Sequence, residues 1–247
     1  MNQKENLVSR LITLGFVLLG VTSFVRAQDA PPSEPLTPYG TAMLDYKTGK
    51  YDEARAAIDA AEKEKPGDLQ TEILKARILT ELGDFAAGEQ ILRPLLSETG
   101  PLEVQLALGD LLLRKRSFDR ASKYYNLALQ AKPDDPDIIL KLVYAKIGAS
   151  DLVGAGQLAS RLKPFDPKNP YDDHASYYFA KAALAQATGN TQSADDDIQT
   201  ATTFYGITVV NRYLRTYLQV FSSSAKTPAS DMTPPPLLKP TPANSKP

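Results

Sequence analysis

The stretch KRSFDRASKYYNLALQAKPDD, residues 115–135, decides the fold of this chain, because similar tracts recur before and after it at a nearly constant interval. Each tract is a short turn followed by a helical pattern, and the others begin at Thr48, Leu82 and Thr188. Gly49 and Gly83 lie 34 residues apart, and Phe118 and Leu152 are also separated by 34. An interval near 34 residues predicts one pair of helices per unit, stacked on the next pair so that its apolar face is buried.

Residues at fixed places inside this interval match in size. Small residues recur where paired helices must approach closely: Ala42, Ala76, Gly109 and Ala182 in the first helices, and Ala54, Gly88, Ala121, Ala155 and Ala194 in the second. A large residue starts the second helix at Tyr51, Phe85, Phe118 and Leu152, and helix-ending prolines follow at Pro66, Pro133 and Pro167. This pattern resembles the tetratricopeptide repeat family over most of residues 37–203.

The resemblance implies an all-α fold, a right-handed superhelix of about five helix-turn-helix units that ends in a C-terminal capping helix. The predicted units are 37–68, 69–101, 102–134, 135–170 and 171–203, followed by the capping helix at 204–222. That last segment has Tyr213, Tyr217 and Phe221 on its apolar face. The chain departs from the family at Ser150, where glycine is usual, and three prolines in residues 163–174 predict an extended loop.

The N-terminus has the pattern of an export signal. Lys4 and Arg10 precede an uncharged run at 11–25, and Ala27 ends a site of the kind that signal peptidases cleave. We predict a signal peptide at 1–27, a linker at 28–36 and a flexible proline-rich tail at 223–247. An uncleaved anchor is the alternative, although the run is shorter than the roughly 20 residues that span a bilayer. The expected location is periplasmic or secreted, with no integral span after signal removal.

Composition removes several functional classes. The net charge is −1 and the basic residues are dispersed, so we expect no nucleic-acid partner. The chain has no cysteine, which excludes disulfides, thiolate metal sites and cysteine nucleophiles. Its one histidine, His174, is interpreted as part of the opening turn of a helix capped by Asp172 or Asp173, rather than as a catalytic or metal-binding group. No catalytic residue, metal site or cofactor is predicted, and the protein is not expected to be an enzyme.

The resemblance implies that the first helices of the units line a concave groove that binds a protein or peptide. The family positions transferred to this chain are Tyr39, Met43, Tyr46, Arg77, Thr80, Asp110, Tyr144 and Phe179. Leu106 and Leu140 lie on the same faces, where packing into neighbouring helices explains them equally well. The Lys and Asn clamp with which some family members bind a terminal carboxylate is not matched, because Tyr39, Met43, Leu74 and Lys141 stand at its places.

Two functional hypotheses follow. The first is an exported scaffold that holds a protein partner in the groove and serves envelope assembly, secretion or cell-wall maintenance. The alternative is a self-associating structural envelope protein, in which the C-terminal helix docks on another copy and the proline-rich tail acts as a spacer. The aromatic face at Tyr213, Tyr217 and Phe221 motivates this alternative.

Overall fold

The computed structural model describes residues 36–96, 100–169 and 174–221. Within these residues the chain forms ten α-helices and no strand, which confirms the all-α fold class. The helices are α1 Pro38–Thr48, α2 Tyr51–Glu64, α3 Leu69–Glu81, α4 Phe85–Leu92, α5 Leu102–Arg114, α6 Phe118–Ala131, α7 Pro136–Gly148, α8 Leu152–Ala159, α9 Ser176–Ala187 and α10 Thr191–Phe221. The predicted signal peptide, most of the linker and the proline-rich tail lie outside the described residues.

Consecutive helices form five hairpins, and each hairpin turns on one residue with left-handed backbone geometry. These residues are Gly49, Gly83, Arg116, Ser150 and Gly189, with φ between 59° and 83°. In every turn this residue donates its N–H to the carbonyl three residues back, and the next residue donates to the carbonyl five back. The pair of hydrogen bonds satisfies carbonyls at the end of the first helix. The repeat interval is therefore the distance between identical helix-ending turns.

Close helix packing explains the recurring small residues. Ala42, Ala76 and Ala182 are fully buried. A β-carbon added at Gly109 would lie 2.4 Å from the ring of Tyr125, which is itself fully buried. That separation is too short for any side chain, so α5 can approach α6 only with glycine at this position.

A carboxylate at Glu89 ties the outer surfaces of two hairpins together. Arg93 and Arg120 each donate to one of its oxygens at 2.7 Å, and the Lys115 ammonium lies 3.4 Å from the other. The hydrogen bond from Arg120 is the strongest of the influences that lower the pKa of Glu89 to about 2. Glu89 therefore stays ionised at neutral pH and links α4 to α6.

The chain between α8 and α9 contains no helix over its described residues 160–169, as the prolines require. The interpretation of His174 as part of a helix is wrong, because α9 begins at Ser176 with Ala175 as its N-cap residue. Asp172 and Asp173 lie outside the described residues.

The last helix, α10, is interrupted at Gly206, where φ is 75° and ψ is 164°. This geometry is essentially restricted to glycine, and it redirects the chain. The residues after Gly206, 207–221, are called the C-terminal segment below. Tyr213 and Tyr217 of this segment pack on Phe179 in the last hairpin. Among the described residues, no helix combines the length and the apolar character needed to cross a lipid bilayer.

Candidate functional site

The first helices of the hairpins surround a cavity of about 500 Å3, which we call the inner cavity. Its walls come from α1, α3, α5 and α7, and the C-terminal segment borders it through Arg212, Tyr213, Thr216 and Gln219. Apolar side chains of α5 and α7, namely Leu106, Ala107, Leu113, Ile138 and Leu140, form much of its surface. The volume falls in the range of sites that hold small ligands or a few side chains of a bound peptide.

Five of the eight residues proposed from the sequence line the inner cavity: Tyr46, Arg77, Thr80, Asp110 and Tyr144. Tyr39 and Met43 do not line it and instead pack, partly buried, on the core cluster that the first hairpin shares with α3. Phe179 is also absent from the cavity wall and is fully buried, with its ring stacked on Tyr213 at 5.4 Å between centroids. Its expected position in an open groove is therefore corrected, since the C-terminal segment covers it.

Four charged residues of the cavity wall form two ion pairs across neighbouring hairpins. Arg114 forms an ion pair with Glu81, and the Lys141 ammonium lies 2.8 Å from the carboxylate of Asp110. The members of each pair are 33 and 31 residues apart, which is close to one repeat interval. That spacing is the sequence signal by which Glu81, Arg114 and Lys141 could have been found, because it places opposite charges at equivalent heights on adjacent helices.

The hydroxyl of Tyr125 donates a hydrogen bond of 2.8 Å to the same Asp110 carboxylate. Burial raises the pKa of Tyr125 well above its ordinary value, and the negative charge of Asp110 raises it further. Tyr125 therefore remains a neutral donor, and Asp110 is held from both sides of the wall.

Two polar groups in the wall are left without partners among the described residues. The Nε atom of Arg77 and the hydroxyl of Tyr144 are both buried and form no hydrogen bond there. Burial also raises the pKa of Tyr144 well above its ordinary value, so it too is a neutral phenol. Both groups can donate a hydrogen bond, and both lie buried in the wall of the inner cavity with that capacity unused among the described residues.

Asp137, in the first turn of α7, anchors the C-terminal segment. Tyr213 donates to its carboxylate at 2.6 Å and Ser176 donates at 2.9 Å, while the Nδ1 atom of His174 lies 3.4 Å away. Burial alone would raise the pKa of Asp137, but the hydrogen bonds from Tyr213 and Ser176 outweigh it and the pKa is lowered. No group of three or more potential ligands for a metal ion occurs in the described part of the chain.

Beyond Tyr213 the C-terminal segment contacts the fourth and fifth hairpins with its aromatic side and the first two hairpins with its polar side. Phe221 packs edge-on against Tyr144, with 6.0 Å between centroids. Arg215 donates to the hydroxyl of Tyr51 at 2.7 Å, and Gln219 reaches Glu81 at 3.4 Å. The segment covers the last hairpin, as a capping helix would, but its polar side also contacts the first two hairpins.

The chain is similar in sequence and in fold to known helical-repeat proteins. The family model described as tetratricopeptide repeat matches residues 39–93 and 73–136. The human protein O-mannosyl-transferase TMTC1 is 32% identical over 120 residues, which are 48% of this chain. The chain spans only 13% of the length of that curated relative, and the transferase activity in the relative's name is therefore not assigned to this chain.

Solved structures show the same fold at low sequence identity. A thermophilic protein from Thermus thermophilus superimposes with a TM-score of 0.57 at 18% identity, over 73% of this chain and 97% of its own. A protein from Parabacteroides merdae gives 0.55 at 15% identity, over 72% and 68% respectively. PilW, described as a type IV pilus biogenesis factor, gives 0.51 at 19% identity over 82% and 94%.

Hairpins of two helices, joined by equivalent turns and stacked in series, define a helical-repeat solenoid. Residues 39–136 match the tetratricopeptide repeat model, and the described residues have the fold of tetratricopeptide repeat solenoids.

Proposed function

We propose that this protein is a non-enzymatic scaffold that binds a helical segment of another polypeptide on its concave side. The observation that carries the proposal is the course of the C-terminal segment, which lies as a helix against Asp137, Tyr144 and Phe179. Aromatic and polar contacts in this arrangement are those with which helix-binding grooves hold their ligands. The wall carboxylates Glu81 and Asp110 serve ion pairs, which supports a binding role over acid-base chemistry.

The proposal includes export to the periplasm or the cell exterior, where the scaffold serves envelope assembly, secretion or cell-wall maintenance. Its support is the positively charged and then apolar pattern that ends at Ala27. The test is expression of the full chain in a Gram-negative host, followed by cell fractionation and mass determination of the product. A periplasmic product beginning at Gln28 is expected, and a full-length cytoplasmic product would contradict export.

The binding role is tested by partner capture from an envelope extract, with the chain from residue 28 onward as bait. Tyr46→Ala and Arg77→Ala remove side chains from the inner cavity, whereas Tyr124→Ala removes a partly buried ring of α6 that is not in the cavity wall. Capture is expected to fall at least tenfold with the first two variants and to persist with the third. Thermal unfolding of each variant shows whether a loss of capture is a loss of fold. Equal capture by all three folded variants would place the interaction elsewhere.

Self-association is the second candidate function. In this structure the aromatic face that motivates it is turned inward, with Tyr213 6% and Tyr217 5% exposed. Docking on another copy therefore requires the C-terminal segment to leave its own groove. Sedimentation velocity at several concentrations tests it, and a monomer throughout would remove this function.

A further inference from the structure

The C-terminal segment packs on the hairpins as a bound helical peptide would, and Gly206 alone connects it to the preceding helix. Its aromatic residues follow at every fourth position, Tyr213, Tyr217 and Phe221, and they meet an aromatic surface formed by Tyr144 and Phe179. A helix places positions four apart on one face, so all three rings face that surface together. Tyr213 and Tyr217 are nearly buried there.

Polar side chains of the segment donate hydrogen bonds to carboxylates of the scaffold. The segment contains two arginines and no acidic residue. The group that accepts from Tyr213 is the carboxylate of Asp137, and the one that accepts from Gln219 is that of Glu81. The surface that this segment occupies is thus suited to an amphipathic helix that has aromatic residues four apart and hydrogen-bond donors for Asp137 and Glu81.

Gly206 is the joint at which this ligand is attached. Apart from Gly206, all of Thr191–Phe221 is helical, so a helical Gly206 would produce one continuous helix of 31 residues. Straightening would carry residues 207–221 away from Asp137 and Phe179. The residue itself is exposed, and a β-carbon at this position would meet nothing within 4 Å. Substitution by alanine therefore changes the backbone preference without adding a clash: the bent geometry becomes strained and the helical one favoured.

We propose that residues 207–221 are an intramolecular competitor for the groove, and that the partner is an amphipathic helix with the same spacing of aromatic residues, bound after the chain straightens at Gly206. This inference rests on the proposed function and specifies its ligand. The partner needs a tyrosine to reach Asp137, two aromatic residues at the following fourth positions to cover Phe179 and Tyr144, and no acidic residue on that face.

The test uses a fluorescent peptide of residues 207–221 and does not require the natural partner. Its binding is measured by anisotropy to the wild-type chain and to Gly206→Ala, with a peptide carrying Tyr213→Ala and Tyr217→Ala as the control. Hydrogen exchange of residues 207–221 reports whether the resident segment has been released. The expected result is faster exchange in Gly206→Ala and peptide binding at least tenfold tighter than to wild type, with no binding of the control peptide.

A locked variant shows where the peptide binds. The chain has no cysteine, so Glu81→Cys with Gln219→Cys, added to Gly206→Ala, permits a short thiol cross-link that holds the segment in place. The uncross-linked variant is expected to bind the peptide and the cross-linked one to lose that binding. A dimer of Gly206→Ala that exchanges its segments would also support the proposal, because the second copy then supplies the same helix.

Three results would overturn it: unchanged protection of residues 207–221 in Gly206→Ala, no peptide binding and no exchange dimer despite release, or equal binding to cross-linked and free chains. These results leave the proposed function separately testable. If the wild-type and cross-linked chains capture a partner equally and Arg77→Ala does not capture it, that partner binds the inner cavity beside the segment.

Discussion

Replacement of Tyr213 by phenylalanine removes the hydroxyl that anchors the C-terminal segment to Asp137 and that also accepts from Arg212 at 3.3 Å. The phenylalanine ring can keep its place on Phe179, where Tyr213 stacks at an interplanar angle of 23°, so only the hydroxyl is lost. That hydroxyl donates to the ionised Asp137 at 2.6 Å, and Tyr213 is 6% exposed. The variant is expected to leave the fold intact and to loosen residues 207–221.

The expected magnitude follows from the environment of the two groups. A hydrogen bond to a charged group contributes about 1.5–3 kcal/mol. The side chain of Asp137 is 39% exposed, so water can replace part of what is lost, and we expect Tyr213→Phe to cost about 1–2 kcal/mol. If release of the segment governs exchange, its amides should exchange about 5 to 30 times faster, since 1.4 kcal/mol is a factor of ten.

The assay is hydrogen exchange followed by mass spectrometry at pH 7, with Tyr217→Phe as the matched control. Tyr217 lies one turn further along the same face, and its hydroxyl forms no hydrogen bond among the described residues. The control should exchange like the wild type. Equal acceleration in both variants would refute the anchoring role of the bond between Tyr213 and Asp137, and so would no acceleration in either.

Three further predictions concern the scaffold. Ser150→Gly should stabilise the chain by about 0.5–1 kcal/mol in urea unfolding, because φ is 63° there and glycine adopts this geometry without strain. The control, Ala149→Gly, lies at a negative φ and should destabilise the chain by a similar amount; the opposite order of stabilities would contradict the strain argument. Glu89→Gln should lower the free energy of unfolding by about 1–2 kcal/mol at pH 7. Because the pKa of Glu89 in the folded chain is depressed to about 2, the difference from wild type should shrink as the pH falls from about 4.5 toward 2, and a constant difference in urea midpoint would refute this. Gly109→Ala should cost about 1–3 kcal/mol in thermal unfolding because its methyl group would overlap the Tyr125 ring, and an unchanged midpoint would show that the ring moves freely.

Much of the scaffold is predictable from the sequence because its determinants repeat locally. Each hairpin ends its first helix on an equivalent left-handed residue, and the small residues at Ala76 and Gly109 let neighbouring helices approach. These requirements act within one unit or between adjacent units, so they recur near every 34 residues. The same regularity explains why Tyr46, Arg77 and Asp110 line one cavity. Phe179 shares their spacing, but the sequence alone could not show that another segment would cover it.

The sequence by itself determined the repeat interval, the helical hairpins and the faces of α3, α5 and α7 that line the inner cavity. Only the tertiary structure decided the course of residues 207–221. Tyr213 meets Asp137 from 76 residues away and Arg215 meets Tyr51 from 164 residues away, and neither separation is set by a local turn or a neighbouring repeat. The direction of the segment also depends on one backbone geometry at Gly206, where glycine permits both a bent and a helical chain. A periodic pattern cannot choose between these, whereas the contacts made across the groove can.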